Sequence, residues 1–90
     1  MTEAAPDLAR TRDALIQAAE QLQSTARVLE EVATAYRPVV GEVTATVGGS
    51  TQQVDIKMVE TLQHARHLTD QAIEALKTTA ARVAGYAQSL

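Results

Sequence analysis

Leu8, Leu15, Leu22, Leu29, Tyr36 and Val43 fall at strict seven-residue intervals along the first half of the chain. Their companions four residues on are Arg12, Ala19, Ala26, Ala33, Val40 and Val47. Apart from Arg12 this is one continuous apolar stripe, and a period near 3.5 places it on one side of a long helix. The second half repeats the arrangement: Met58, Leu62, Ala65, Thr69, Ala72, Leu76, Thr79, Val83, Tyr86 and Leu90 are spaced alternately four and three apart. Heptads sustained this long predict helices packed lengthwise at a shallow crossing angle.

Between the halves stands "TVGGSTQQ". Gly48 and Gly49 follow the last stripe residue, Val47, and glycine readily takes the left-handed conformation that closes a helix. Ser50 followed three residues later by Gln53 reads as an N-cap and capping box for a new helix. A stop and a start so close together return the chain antiparallel to itself. The expected fold is all-α: a single domain over residues 1–90, with a helix from about 6 to 47, a turn at 48–49 and a helix from about 50 to 88. Pro38 lacks an amide hydrogen and clashes with the carbonyl of Thr34, yet the heptad phase crosses it unbroken. The pattern therefore favours a helix kinked near Pro38 over one that ends there. Pro6 and Asp7 suit a helix start.

The hairpin seam is read as Leu8, Leu15, Leu22, Leu29, Tyr36, Val43, Met58, Leu62, Leu76 and Val83. The apolar surface is wider than one neighbouring helix covers, with Ile16, Val28 and Val32 beside the first stripe and Val59, Leu68 and Ile73 beside the second. These six residues are the expected partner interface. Composition points the same way. The chain is 46% hydrophobic, but much of that is alanine; Phe, Trp and Cys are absent, and the only aromatics are two tyrosines. A small chain without bulky side chains or disulfides needs a partner to bury enough surface. Two hairpins pairing into a four-helix bundle, as a homodimer or a heterodimer, would supply it.

Charge narrows the functional classes. The balance is 8 basic against 11 acidic residues, a net −3, with no run of Lys or Arg. Nucleic-acid binding needs a positive stripe and is not expected. Amphipathic membrane helices carry basic residues and boundary aromatics that this chain lacks, and no apolar run is long enough to span a bilayer. The first residues show no basic-then-apolar signal segment. Glu60, His64, His67 and Gln71 share one helix face, the spacing a metal site would use, but that face points away from the seam and reads as solvated. Neither a cofactor nor a small-molecule substrate is expected. The seam offers no inward carboxylate pair, no Cys nucleophile and no phosphate-cradling glycine loop, so an enzyme is not expected.

A helical hairpin of this size, with a glycine turn near mid-chain, resembles the small W-x-G (ESAT-like) proteins of type VII secretion systems of actinobacteria and firmicutes. The family's tryptophan-x-glycine turn falls on Val47, Gly48 and Gly49, with valine in place of tryptophan. The family's export signal, a tyrosine followed four residues later by an acid, falls on Tyr86 and Leu90, with leucine in place of the acid. The resemblance implies a non-enzymatic helical export substrate, or a companion that dimerises with a larger secreted protein. Its location would be cytoplasmic, or outside the cell by a route that uses no Sec signal. The alternative is a cytosolic homodimeric four-helix-bundle scaffold or adaptor unrelated to secretion.

Overall fold

The structure is a computed structural model that describes residues 4–49 and 51–90. Two helices account for nearly all of them: α1, Ala4–Val47, and α2, Gln53–Ser89. They pack along their lengths as an all-α antiparallel hairpin measuring 72 × 19 × 14 Å. Strong helix formers fill both, and an aspartate stands in each first turn, Asp7 and Asp55, near the positive end of the dipole. The threonines do not disrupt the helices. The hydroxyls of Thr11, Thr25, Thr34, Thr46, Thr61 and Thr69 each donate to the carbonyl four residues earlier, which satisfies them within their own helix.

α1 runs through Pro38 without a break. Pro38 and Thr34 both lie on exposed positions, so the carbonyl that loses its helical donor faces water, where it can be hydrated. α1 closes at the glycine pair. Gly49 has φ +83°, a region that costs a residue with a Cβ about 1–2 kcal/mol. A Cβ on Gly48 would lie 2.6 Å from the Thr44 carbonyl oxygen, closer than real Cβ atoms come. Two different constraints therefore require glycine at two adjacent positions.

The start of the second helix differs from the sequence expectation. α2 begins at Gln53, with Gln52 in an extended conformation as its N-cap. The Ile56 amide donates to the Gln52 carbonyl at 3.2 Å. Ser50, expected as the cap, lies outside the described residues. The 48–52 connection lies within the usual range for helical hairpins. The helix then continues past Gly85 to Ser89.

Packing along α1 follows the expected stripe: Ala19, Ala26, Ala33 and Val40 are buried, and Leu15, Leu22, Leu29, Tyr36, Val43 and Val47 are half-buried. Leu8 is exposed, because α1 is the longer helix and its first turns lie beyond the reach of α2. On α2 the register is corrected by one residue. Ile73, at 7% exposure, is buried with Ala80 and Ala87, and Val59, Leu62, Thr69, Leu76, Val83 and Leu90 are half-buried beside them. Met58, expected in the seam, is 41% exposed; Ala65, Thr79 and Tyr86 are exposed as well. Val59 and Ile73, expected on the partner-facing flank, belong to the seam. Both registers share Leu62, Thr69, Leu76, Val83 and Leu90, so the choice rests on the companions. Burying Ile73 instead of Ala72 removes more apolar area from water, and burying Ala80 and Ala87 spares the hydroxyls of Thr79 and Tyr86 from desolvation.

Ile73→Ala should therefore cost about 2–5 kcal/mol, and Met58→Ala under about 1 kcal/mol, read from urea denaturation followed by circular dichroism. The reverse order would restore the register that has Met58 inside. Gly49→Ala should lower stability by about 1–2 kcal/mol without changing helix content.

Candidate functional site

The residues that could carry chemistry are dispersed. His64 and His67 are exposed on the outer side of α2, where His67 lines a shallow groove with Gln63, Arg66 and Asp70. Among the described residues no group of three His, Asp or Glu side chains is placed to hold a metal ion. Arg12 is exposed and Asp55 half-buried. Asp55 lies at the closed end of the hairpin, in a cleft it shares with Thr44, Val47, Gly48, Ile56 and Val59. No described helix is long and apolar enough to cross a membrane.

The two broad sides of the hairpin carry opposite chemistry. On one side Lys77 pairs with Glu30 across the helices. The hydrogen bond that the Lys77 ammonium donates to Glu30, and then the Glu30 charge, hold it above its ordinary pKa. Both side chains are well exposed, so the pair contributes little stability and loses what it contributes in salt. Thr34, Arg37, Asp70 and Glu74 continue this polar side as the walls of a groove over Ala33 and Ile73. A second link crosses nearer the turn, where the Tyr36 hydroxyl donates to the Leu62 carbonyl at 3.0 Å. That bond is part-buried, and together with the Glu30–Lys77 pair it fixes the antiparallel register.

Helix geometry turns the charged side into a map of the other one. Residues two apart are separated by about 200° around a helix. Val28 and Val32 flank Glu30, Ala35 and Val39 flank Arg37, Leu68 and Ala72 flank Asp70, and Ala75 precedes Lys77 by two. All seven therefore point to the opposite side of the hairpin. On α1 they form a second stripe, Val28, Val32, Ala35 and Val39, at the same four-three-four spacing as the seam. On α2 the stripe is Val54, Met58, Ala65, Leu68, Ala72 and Ala75. Val28, Val32, Val39, Leu68 and Val54 are between 48% and 75% exposed. Between Gln21 and Val39, and between Met58 and Thr79, this side carries no charged residue; Lys57, Glu42 and Arg82 border it near its two ends, and Glu31 lies along its outer edge beside Val28 and Ala35.

Of the six residues expected at a partner interface, Val28, Val32 and Leu68 lie on this face. Ile16 is exposed, at 39%, but falls on the same flank of α1 as Glu30, and Val59 and Ile73 are in the seam. Sequence reasoning missed Val39, Val54 and the outward position of Met58, although the spacing from Val28 to Val39 was visible as a stripe in its own right. At the far end Tyr86 is exposed on the apolar side, while Leu90 turns half-buried toward the seam, its amide donating to the Ala87 carbonyl at 3.3 Å. Val47 and Leu90, the positions where the family pattern has tryptophan and an acid, are both half-buried seam residues.

Tyr36→Phe keeps the ring and removes the cross-helix hydrogen bond; it should cost about 1 kcal/mol in thermal denaturation. A change within error would mean the hydroxyl does not hold the register.

Compared with known proteins, the chain matches no family model, no curated protein and no solved structure.

Proposed function

We propose that this chain is a non-enzymatic helical interaction protein that works by docking its uncharged apolar face against another helical surface. The observation that carries the reading is the second stripe. Val28, Val32, Val39 and Leu68 stand about half exposed in an uncharged band along both helices, next to a seam that is already closed. Scattered surface apolar residues are ordinary, but a contiguous band of this kind marks a binding surface. Polar and charged groups collect on the other side, where they keep the hairpin soluble once the apolar side is covered.

Within this class, the reading as a type VII export substrate or companion rests on outline. Support comes from the antiparallel hairpin, the left-handed Gly49 in the turn and the exposed Tyr86 near the end of α2. The half-buried Leu90 in place of an acid argues for a companion that borrows a partner's signal over a substrate exported alone. In its native host such a companion should appear in the medium only while the secretion ATPase is active. Retention of the chain in the cell in both cases would leave the cytosolic adaptor as the reading.

The face itself is tested by Val32→Asp and Leu68→Asp. Each should weaken partner binding on the order of a hundredfold with helicity unchanged, whereas Gln63→Asp, on the charged side, should leave it within about threefold. Binding that ignores both face variants would refute the assignment.

A further inference from the structure

We infer that the occupant of the apolar face is a second copy of this chain, laid on by a two-fold rotation about an axis parallel to the helices, with both glycine turns at the same end. This rests on the reading of that face as a docking surface and names its partner, in the self-pairing form of that reading and not as the companion of a larger secreted protein.

The argument starts from register. The Tyr36–Leu62 and Glu30–Lys77 links bracket the register; midway between them Val28 and Val32 stand at about the levels of Ala75 and Ala72, and Ala35 at about the level of Leu68. In the middle of the face, Val28, Val32 and Leu68 are therefore each level with an alanine of the other helix. A two-fold rotation about the long axis leaves levels unchanged and lays α1 of one copy over α2 of the other. Val28 and Val32 then meet Ala75 and Ala72 of the second copy, and Leu68 meets its Ala35. Facing large and small residues interdigitate without voids. Stacking with the turns at opposite ends would instead lay α1 over α1 and α2 over α2, and lose this pairing of α1 valines with α2 alanines.

Charge and area agree with this occupant. The central strip contains no charged side chain. At its borders the same rotation sets Glu42 against Thr61, Lys57 against Thr46 and Arg82 against Gln21, so no like charges meet. The uncharged strip from Gln21 to Val39 is about 27 Å long at about 1.5 Å per residue, and two helices are about 20 Å across. That gives on the order of 540 Å² per copy, about 1,100 Å² in all, at the low end of specific interfaces. A lipid surface would want basic residues bordering the strip and aromatic anchors within it; Phe and Trp are absent, and the borders are neutral or mixed.

Sedimentation equilibrium over a hundredfold concentration range tests the copy, with helicity followed by circular dichroism. The expected result is a dimer for the unaltered chain and for Gln63→Asp, and for Val32→Asp and Leu68→Asp a dissociation constant raised on the order of a hundredfold at unchanged helicity. A chain that stays monomeric throughout overturns the second copy while leaving the docking reading intact for a different helical partner. A dimer indifferent to both face variants overturns the inference and the docking reading together. Orientation is read separately. The chain has no cysteine, so a spin label on Gln53→Cys is unique in each copy. Turns at the same end put the two labels roughly 20 Å apart, and turns at opposite ends roughly 50 Å. The longer distance overturns the arrangement.

Discussion

Close approach of two helices over a row of small side chains is the constraint on which this structure depends. Ala19, Ala26 and Ala33 on α1 and Ala80 and Ala87 on α2 are, with Val40, the positions most fully removed from water. Alanine lets backbones come near each other and loses no side-chain entropy in a helix, but each removes only a little apolar area. The larger residues beside it, Leu22, Leu29, Leu76 and Val83, are only half-covered, because a single neighbouring helix cannot reach around them. Ile73 is the largest side chain among the buried residues. The hairpin therefore closes with a modest driving force and leaves its second stripe wet. That physical shortfall, more than any single residue, is what points to function by association.

The geometry of the seam also explains why the two sides can differ so completely. Once the alanine row sets which surface of each helix faces inward, residues on either flank are fixed two positions apart around the helix. The Glu30–Lys77 pair and the groove of Arg37, Asp70 and Glu74 occupy one flank, and the valines and Leu68 fall on the other. A hairpin organised this way has a built-in direction, with one side that prefers water and one that prefers another apolar surface. The turn contributes precision, since Gly48 and Gly49 are each demanded by a separate local constraint.

Much of this was legible in the sequence, and the misses are instructive. The first stripe could be read directly because its buried line, from Leu15 to Val47, has one consistent phase. The second helix carries two overlapping lines that share Leu62, Leu76 and Val83, and periodicity alone does not choose between them. Bulk and hydroxyl placement choose: Ile73 over Ala72, Ala80 and Ala87 over Thr79 and Tyr86. That one-residue shift carried Val59 and Ile73 inward and Met58 outward. It also hid half of the docking face, since Met58 had been spent on the seam. The start of α2 is the other difference: Ser50 and Gln53 form a good local signal, but the helix begins at Gln53 itself.

If the apolar face is what completes the fold, stability and association are linked, and the midpoint of thermal unfolding must depend on how much protein is present. The decisive measurement is that midpoint, followed by circular dichroism from low micromolar to near-millimolar concentration. The account predicts a midpoint that rises steadily with concentration. A midpoint constant over the whole range, with fully reversible unfolding, would mean that the hairpin needs no copy of itself, and would contradict the claim that its second stripe is closed by self-association.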